Sequence, residues 1–107
     1  GIPQRGHLYW VDLVPVRGHE QDGRRPVLVM SPTIYNEKSG MALVCPLTSK
    51  RKGYVYEVGI STPHVSGAIL ADQIRVVDWP ERAFDHIAVS PPDVVSAVRG
   101  KLLTLIS

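Results

Sequence analysis

Two stretches of this chain carry side chains able to hold an anion and move a proton. The first, Gly18-His19-Glu20-Gln21-Asp22-Gly23-Arg24-Arg25-Pro26, sets carboxylates, an amide and two guanidiniums in one glycine-bracketed loop, which empties into the apolar run Val27-Leu28-Val29-Met30. A guanidinium is a planar fork that can grip two phosphate oxygens at once, and a nearby carboxylate can accept a proton. Pro26 fixes its own φ and pushes Arg25 toward extended backbone, so the Arg25 side chain is aimed from the root of a strand. The second stretch, Cys45-Pro46-Leu47-Thr48-Ser49-Lys50-Arg51-Lys52, passes from an apolar segment into two hydroxyls and three consecutive cations. Taken alone, each is equally a solvated turn with surface charge.

The elements that must position these groups are short strands and one helix. Residues 8–14 are aromatic and β-branched and stop at Pro15, which predicts a strand. Residues 27–30, apolar on both faces, predict a central one. A polar connection over 31–40 has room for one helical turn closed by Gly40. Residues 41–47 predict the third strand, with Pro46 tolerable near its end or on an edge. Residues 54–60 alternate and predict the fourth; 68–77 predict the fifth, its apolar pattern interrupted by Asp72 and Gln73. Residues 78–85 resist a regular element because of Trp79-Pro80, and 86–89 predict a last short strand. The helix signal is clearest. Ser90 is the expected N-cap, followed by proline at the first helical position and Asp93 three residues after the cap. Val94, Val98, Leu102 and Leu105 make its apolar stripe, widened by Val95 and Ile106, and Gly100 suggests a close packing contact. The sum is a mainly β chain with a C-terminal helix, folded as a small antiparallel, partly closed barrel.

Composition bounds the rest. A chain of 107 residues predicts a single domain over 1–107, and 44% hydrophobic against 21% charged residues excludes disorder. The net charge of +2 does not by itself announce a nucleic-acid binder. Its distribution is more informative: residues 1–52 hold eight Lys/Arg against four Asp/Glu, and residues 53–107 hold four against six. The half carrying both reactive stretches is the basic half, as a phosphate-binding face requires. Cys45 is the only cysteine and sits in an apolar run, so it reads as an inert buried thiol in a reducing compartment. No run approaches the roughly 18 apolar residues of a membrane span, and the chain is expected to be soluble and cytoplasmic. The four histidines, His7, His19, His64 and His86, stand at no metal-ligand spacing, so no metal and no cofactor is expected. Neither a glycine-rich phosphate cradle nor a G-x-S-x-G turn is present.

The ordered set of short motifs resembles the MazF/PemK-type toxins, the endoribonucleases of toxin–antitoxin pairs. It comprises His7 with Trp10-Val11-Asp12, then Gly18-x-Glu20-Gln21-x-Gly23-x-Arg25-Pro26, Ser31-Pro32-x-x-Tyr35-Asn36, Pro46-x-Thr48-Ser49, Lys52-Gly53-Tyr54 and Ala71-Asp72-Gln73. The resemblance covers nearly the whole chain. It implies an SH3-like barrel of the CcdB/PemK kind, a homodimer, and a cognate MazE-like antitoxin with which the toxin forms a DNA-binding complex. It also implies single-stranded RNA as substrate.

RNA carries its own nucleophile, the 2′-hydroxyl. A ribonuclease must deprotonate it, stabilise the extra charge on five-coordinate phosphorus and help the 5′-oxygen leave; no covalent residue or metal is required. Arg25 suits the charge, because stabilising developing charge is usually the largest single contribution. Thr48 can donate a hydroxyl hydrogen bond to the same phosphate. Both match positions the resembled family uses in catalysis. A guanidinium, which stays charged in proteins, is a poor proton carrier. Glu20 is the easier acceptor, and is assigned there. Contacts to RNA are expected from His19, Gln21, Arg24, Pro46, Ser49, Lys50, Arg51, Lys52, Asp72 and Gln73, with Tyr54 a further stacking face. Two other classes share such a barrel: a CcdB-like gyrase poison, which would need exposed C-terminal helix residues and no Arg25/Thr48 pair, and a non-catalytic SH3-like binding module.

Overall fold

A computed structural model describes residues 1–13 and 23–107, and over them the chain forms seven strands and two helices. The strands are β1 (His7–Asp12), β2 (Arg24–Val29), β3 (Ala42–Thr48), β4 (Glu57–Ser61), β5 (Ser66–Leu70), β6 (Arg75–Val77) and β7 (Asp85–Val89). They run antiparallel in the order β4-β5-β3-β2-β1-β7, with β6 laid against β3. Helix α1 (Thr33–Ser39) joins β2 to β3, and α2 (Pro92–Ile106) follows β7.

β3 is the pivot. Its start pairs with β6, from Ala42↔Val77 to Val44↔Arg75, and its end pairs with β5, at Leu47↔Ile69 and Thr48↔Ala68. Pro46 sits between these two stretches, where a missing N–H disturbs the ladder least. The sheet curls there, as expected of a partly closed barrel. Both faces of the central strands are buried. Leu8, Leu28, Cys45, Leu47 and Ile69 meet Val94 and Val98 of α2 on one face. Tyr9, Val11, Val27, Val29, Val44 and Val77 form the other core, with Trp79 and Phe84 packed on it. That two-sided burial explains the unbroken apolar run Val27-Leu28-Val29, and each such side chain contributes roughly 1.5–3 kcal/mol.

Several expectations are corrected. The predicted fifth strand is broken: β5 ends at Leu70, a 3-10 turn covers Ala71–Gln73, and β6 begins at Arg75. The polar pair Asp72-Gln73 thus marks a turn. β4 starts at Glu57, after a turn in which Glu57 N–H donates to the Tyr54 carbonyl at 3.0 Å. Ser90 is not the helix cap. Pro91 holds that position with Pro92 at the first turn, and the buried Ser90 hydroxyl donates to the Pro91 carbonyl at 3.2 Å. Among the described residues no packing partner lies near Gly100, and Leu105 and Ile106 are exposed. α1 is the expected short helix closed by Gly40 at φ +70°.

The Ser31-Pro32-x-x-Tyr35-Asn36 motif is scaffolding. Buried Asn36 donates to the carbonyls of Pro3 at 2.8 Å and Ser31 at 3.2 Å, and its own carbonyl accepts the Trp79 indole N–H at 2.7 Å. Ser31 Oγ donates to Asn36 Oδ1 at 2.5 Å and accepts the Leu43 N–H at 2.8 Å. Removing either side chain strands a buried polar group, at a cost of about 1–3 kcal/mol. Cys45 is fully buried, and burial pushes its thiol up to about 12, the inert state expected.

Candidate active site

A cleft opens where β2 and β3 part. Their last ladder partners are Val27 and Pro46, and continuing that register by two residues sets Arg25 opposite Thr48. The strands do not pair that far, because β3 has already turned to β5. The gap is a cleft of about 540 Å³ lined by Arg25, Thr48, Lys50, Gln73 and Arg75, with Leu13 and Pro46 as apolar walls. Strand alternation decides who faces it. Arg25 shares a face with Val27, Thr48 with Val44, and Arg75 with Val77, so the cleft continues one of the two core faces out to solvent.

Each group is held by local bonding. Thr48 Oγ1 accepts the Lys50 N–H at 3.2 Å, which fixes the rotamer and leaves its hydroxyl proton for a ligand. Behind Thr48, β5 approaches closely at Gly67, whose φ is +149°; a Cβ there would collide with the Thr48 carbonyl oxygen. Glycine at 67 is therefore what lets Thr48 sit where it does. Glu57 holds the basic loop, its carboxylate accepting N–H groups from Lys52 at 3.1 and 3.2 Å and from Gly53 at 3.1 Å. Arg25, Lys50 and Arg75 are exposed, and among the described residues none of them pairs with a carboxylate. Three converging cations and a hydroxyl donor make an anion site suited to phosphate.

The structure brings together Arg25, Thr48, Pro46, Ser49, Lys50 and Gln73 of the residues singled out from sequence. Lys52 and Asp72 line an adjoining pocket. Two others lie elsewhere. Arg24 is on the opposite face of β2, where its guanidinium donates to Asp12 at 2.9 Å, to Asp85 and to the Ala83 carbonyl at 3.1 Å. Arg51 lies over Gly59 on β4 and lines neither pocket. His19, Glu20 and Gln21 fall outside the described residues. Arg75 was missed from sequence; the signal was its two-residue offset from core Val77.

Among the described residues no cluster of three or more His, Cys, Asp or Glu is placed to hold a metal ion, and no helix is long and apolar enough to cross a membrane. His7 and His86 form a pair, Nδ1 to Nε2 at 3.0 Å, at the far end of β1 from the cleft.

Known proteins share this family and fold. Residues 4–106 match the family model for PemK-like, MazF-like toxins of type II toxin–antitoxin systems. The chain is 39% identical over 105 residues to the endoribonuclease toxin MazF of Escherichia coli K12, covering 98% of this chain and 95% of that one. It superposes on the crystal structure of MazF from Deinococcus radiodurans with a TM-score of 0.89 at 47% identity, over 99% of this chain and 97% of that one. A MazE–MazF structure from the same organism matches with a TM-score of 0.88 at 42% identity, over 100% of this chain and 97% of that one.

Proposed function

The chain belongs to the PemK-like, MazF-like toxins of type II toxin–antitoxin systems, and from that footing we propose that it is a sequence-selective, metal-independent endoribonuclease cleaving single-stranded RNA in the cytoplasm. The observation that carries the reading is that Arg25 and Thr48 line one cationic cleft. Attack by the 2′-hydroxyl on the adjacent phosphorus builds negative charge on the non-bridging oxygens. The Arg25 fork takes two of those oxygens, the Thr48 hydroxyl donates to the same phosphate, and Lys50 and Arg75 raise the local potential. Glu20 takes the 2′-hydroxyl proton as the P–O2′ bond forms, the P–O5′ bond breaks, and the departing 5′-oxygen takes a proton from solvent water. The products are a 2′,3′-cyclic phosphate and a 5′-hydroxyl. Fixed cations fill the charge-stabilising role that a metal ion would otherwise supply.

The same footing supports one toxin domain over 1–107, a homodimer, and control by a MazE-like antitoxin that, with the toxin, binds DNA. Leu103, Leu105 and Ile106 of α2, with the outward pair Leu43 and Val76, offer apolar surface for protein partners. Blocking translation by cutting mRNA would arrest growth. The Arg25/Thr48 pair favours this over a gyrase poison or a binding module, neither of which needs it.

Incubation with RNA in excess chelator tests the chemistry. Cleavage is expected to persist and to leave cyclic phosphate ends. Loss of cleavage on chelation, or cutting of an oligonucleotide lacking the 2′-hydroxyl at the scissile nucleotide, would overturn the mechanism.

A further inference from the structure

Beside the Arg25–Thr48 cleft lies a second pocket of about 650 Å³, continuous with it across Thr48, Lys50 and Gln73. One wall is Tyr54, 51% exposed yet tied at both ends. Its hydroxyl donates to Asp72 Oδ2 at 3.0 Å, and its carbonyl accepts the Glu57 N–H at 3.0 Å. The Tyr56 ring packs beside it, centroids 5.8 Å apart and tilted by 57°. A wet aromatic face held rigidly is what a splayed nucleobase stacks on. The pocket is also polarised. Lys50 and Lys52 line it as cations, and Glu57 is occupied with the loop N–H groups. Asp72 spends one carboxylate oxygen on Tyr54; among the described residues the other has no partner. An ionised carboxylate repels phosphate and accepts hydrogen bonds only, so it marks the base end of the pocket.

We propose that this pocket receives the base next to the cleaved phosphate, and that Asp72 selects a base with an exocyclic amino group over uracil. The inference rests on the ribonuclease reading and deepens it. Adenine and cytosine present an amino donor flanked by a ring-nitrogen acceptor, which the Gln73 amide at the adjoining position complements. Uracil presents carbonyl oxygens where Asp72 needs a donor.

The test is cleavage of a random-sequence RNA pool, with sequencing of both product ends. The wild-type chain is expected to show, at one position flanking the cut, amino-bearing bases favoured over uracil by about tenfold, the value of one charge-assisted hydrogen bond. Asp72→Asn, at an exposed site with no core packing to lose, should erase that preference at that position alone. Tyr54→Phe keeps the stacking face and frees the second carboxylate oxygen, so cleavage should persist with a larger share of guanine, which offers two adjacent donors. Tyr54→Ala should slow cleavage of all sequences by about tenfold or more. A base profile unchanged in both Asp72→Asn and Tyr54→Phe, or uracil preferred at both flanking positions by the wild type, overturns the base pocket while leaving the ribonuclease reading intact. A wild-type chain that cuts no RNA overturns both.

Discussion

Arg24 and Arg25 are neighbours in sequence and opposites in environment. Arg24 ties β1 to β7 through Asp12, Asp85 and the Ala83 carbonyl, and its guanidinium has little left to offer a ligand. Arg25, one residue along, faces the cleft with Thr48, Lys50 and Arg75, and among the described residues no carboxylate neutralises it. The period-two alternation of a strand turns one charged dipeptide into a clasp on one face and a cleft-lining cation on the other. The contrast extends to the regions around them. The β1–β2–β7 surface satisfies its charges internally; the edge where β2 and β3 part leaves cations together, a repulsive arrangement that stability alone does not favour.

Substitutions can break or sharpen this contrast. The largest effect is expected from Arg25→Ala, a loss of cleavage of about a hundred- to a thousandfold, read by single-turnover kinetics. Arg25→Lys should recover only part of it, because a point charge does not bind two oxygens at once. Thr48→Ala should slow cleavage about ten- to a hundredfold, and Gly67→Ala should do similar harm at a distance by displacing the Thr48 backbone. Removing the cations of both Lys50 and Lys52 should weaken RNA binding and reduce the slope of log affinity against log salt by about 1.4, from roughly 0.7 per phosphate contact. The same titration on Arg24→Ala should show no change in slope.

The smallest effect concerns the far end of β1. His7 is held below the ordinary imidazole range, first by burial and then by the neighbouring His86. The unfolded chain therefore binds the proton more readily. The stability that neutral His7 contributes is complete above its unfolded pKa of about 6.5 and is lost as pH falls through its lower folded value. Melting temperatures between pH 7.5 and 5 should decline less steeply in His86→Gln than in the wild type.

Local signals in the sequence carried much of this. Alternation and turn residues marked most strands, the apolar stripe marked α2, and Pro26 next to Arg25 correctly rooted that arginine in a strand. Thr48 and the basic loop stood out by residue type. Long-range register did not. Nothing local sets Arg25 opposite Thr48, and Asp12 and Asp85, the partners of Arg24, lie twelve and sixty-one residues away. Hence Arg24 read as an RNA contact beside the catalytic assignment of Arg25. The break in the expected fifth strand was visible only as two polar residues.

The contrast between the two arginines is tested most directly by measuring cleavage rate and thermal melting on the same preparations of Arg24→Ala and Arg25→Ala. Arg25→Ala is expected to melt like the wild type and cleave at a small fraction of its rate. Arg24→Ala is expected to lose about 1–2 kcal/mol, a fall in melting temperature of roughly 5–10 °C, yet to cleave at near wild-type rate per folded molecule. Full cleavage by Arg25→Ala, or abolished cleavage with unchanged melting in Arg24→Ala, would contradict the account.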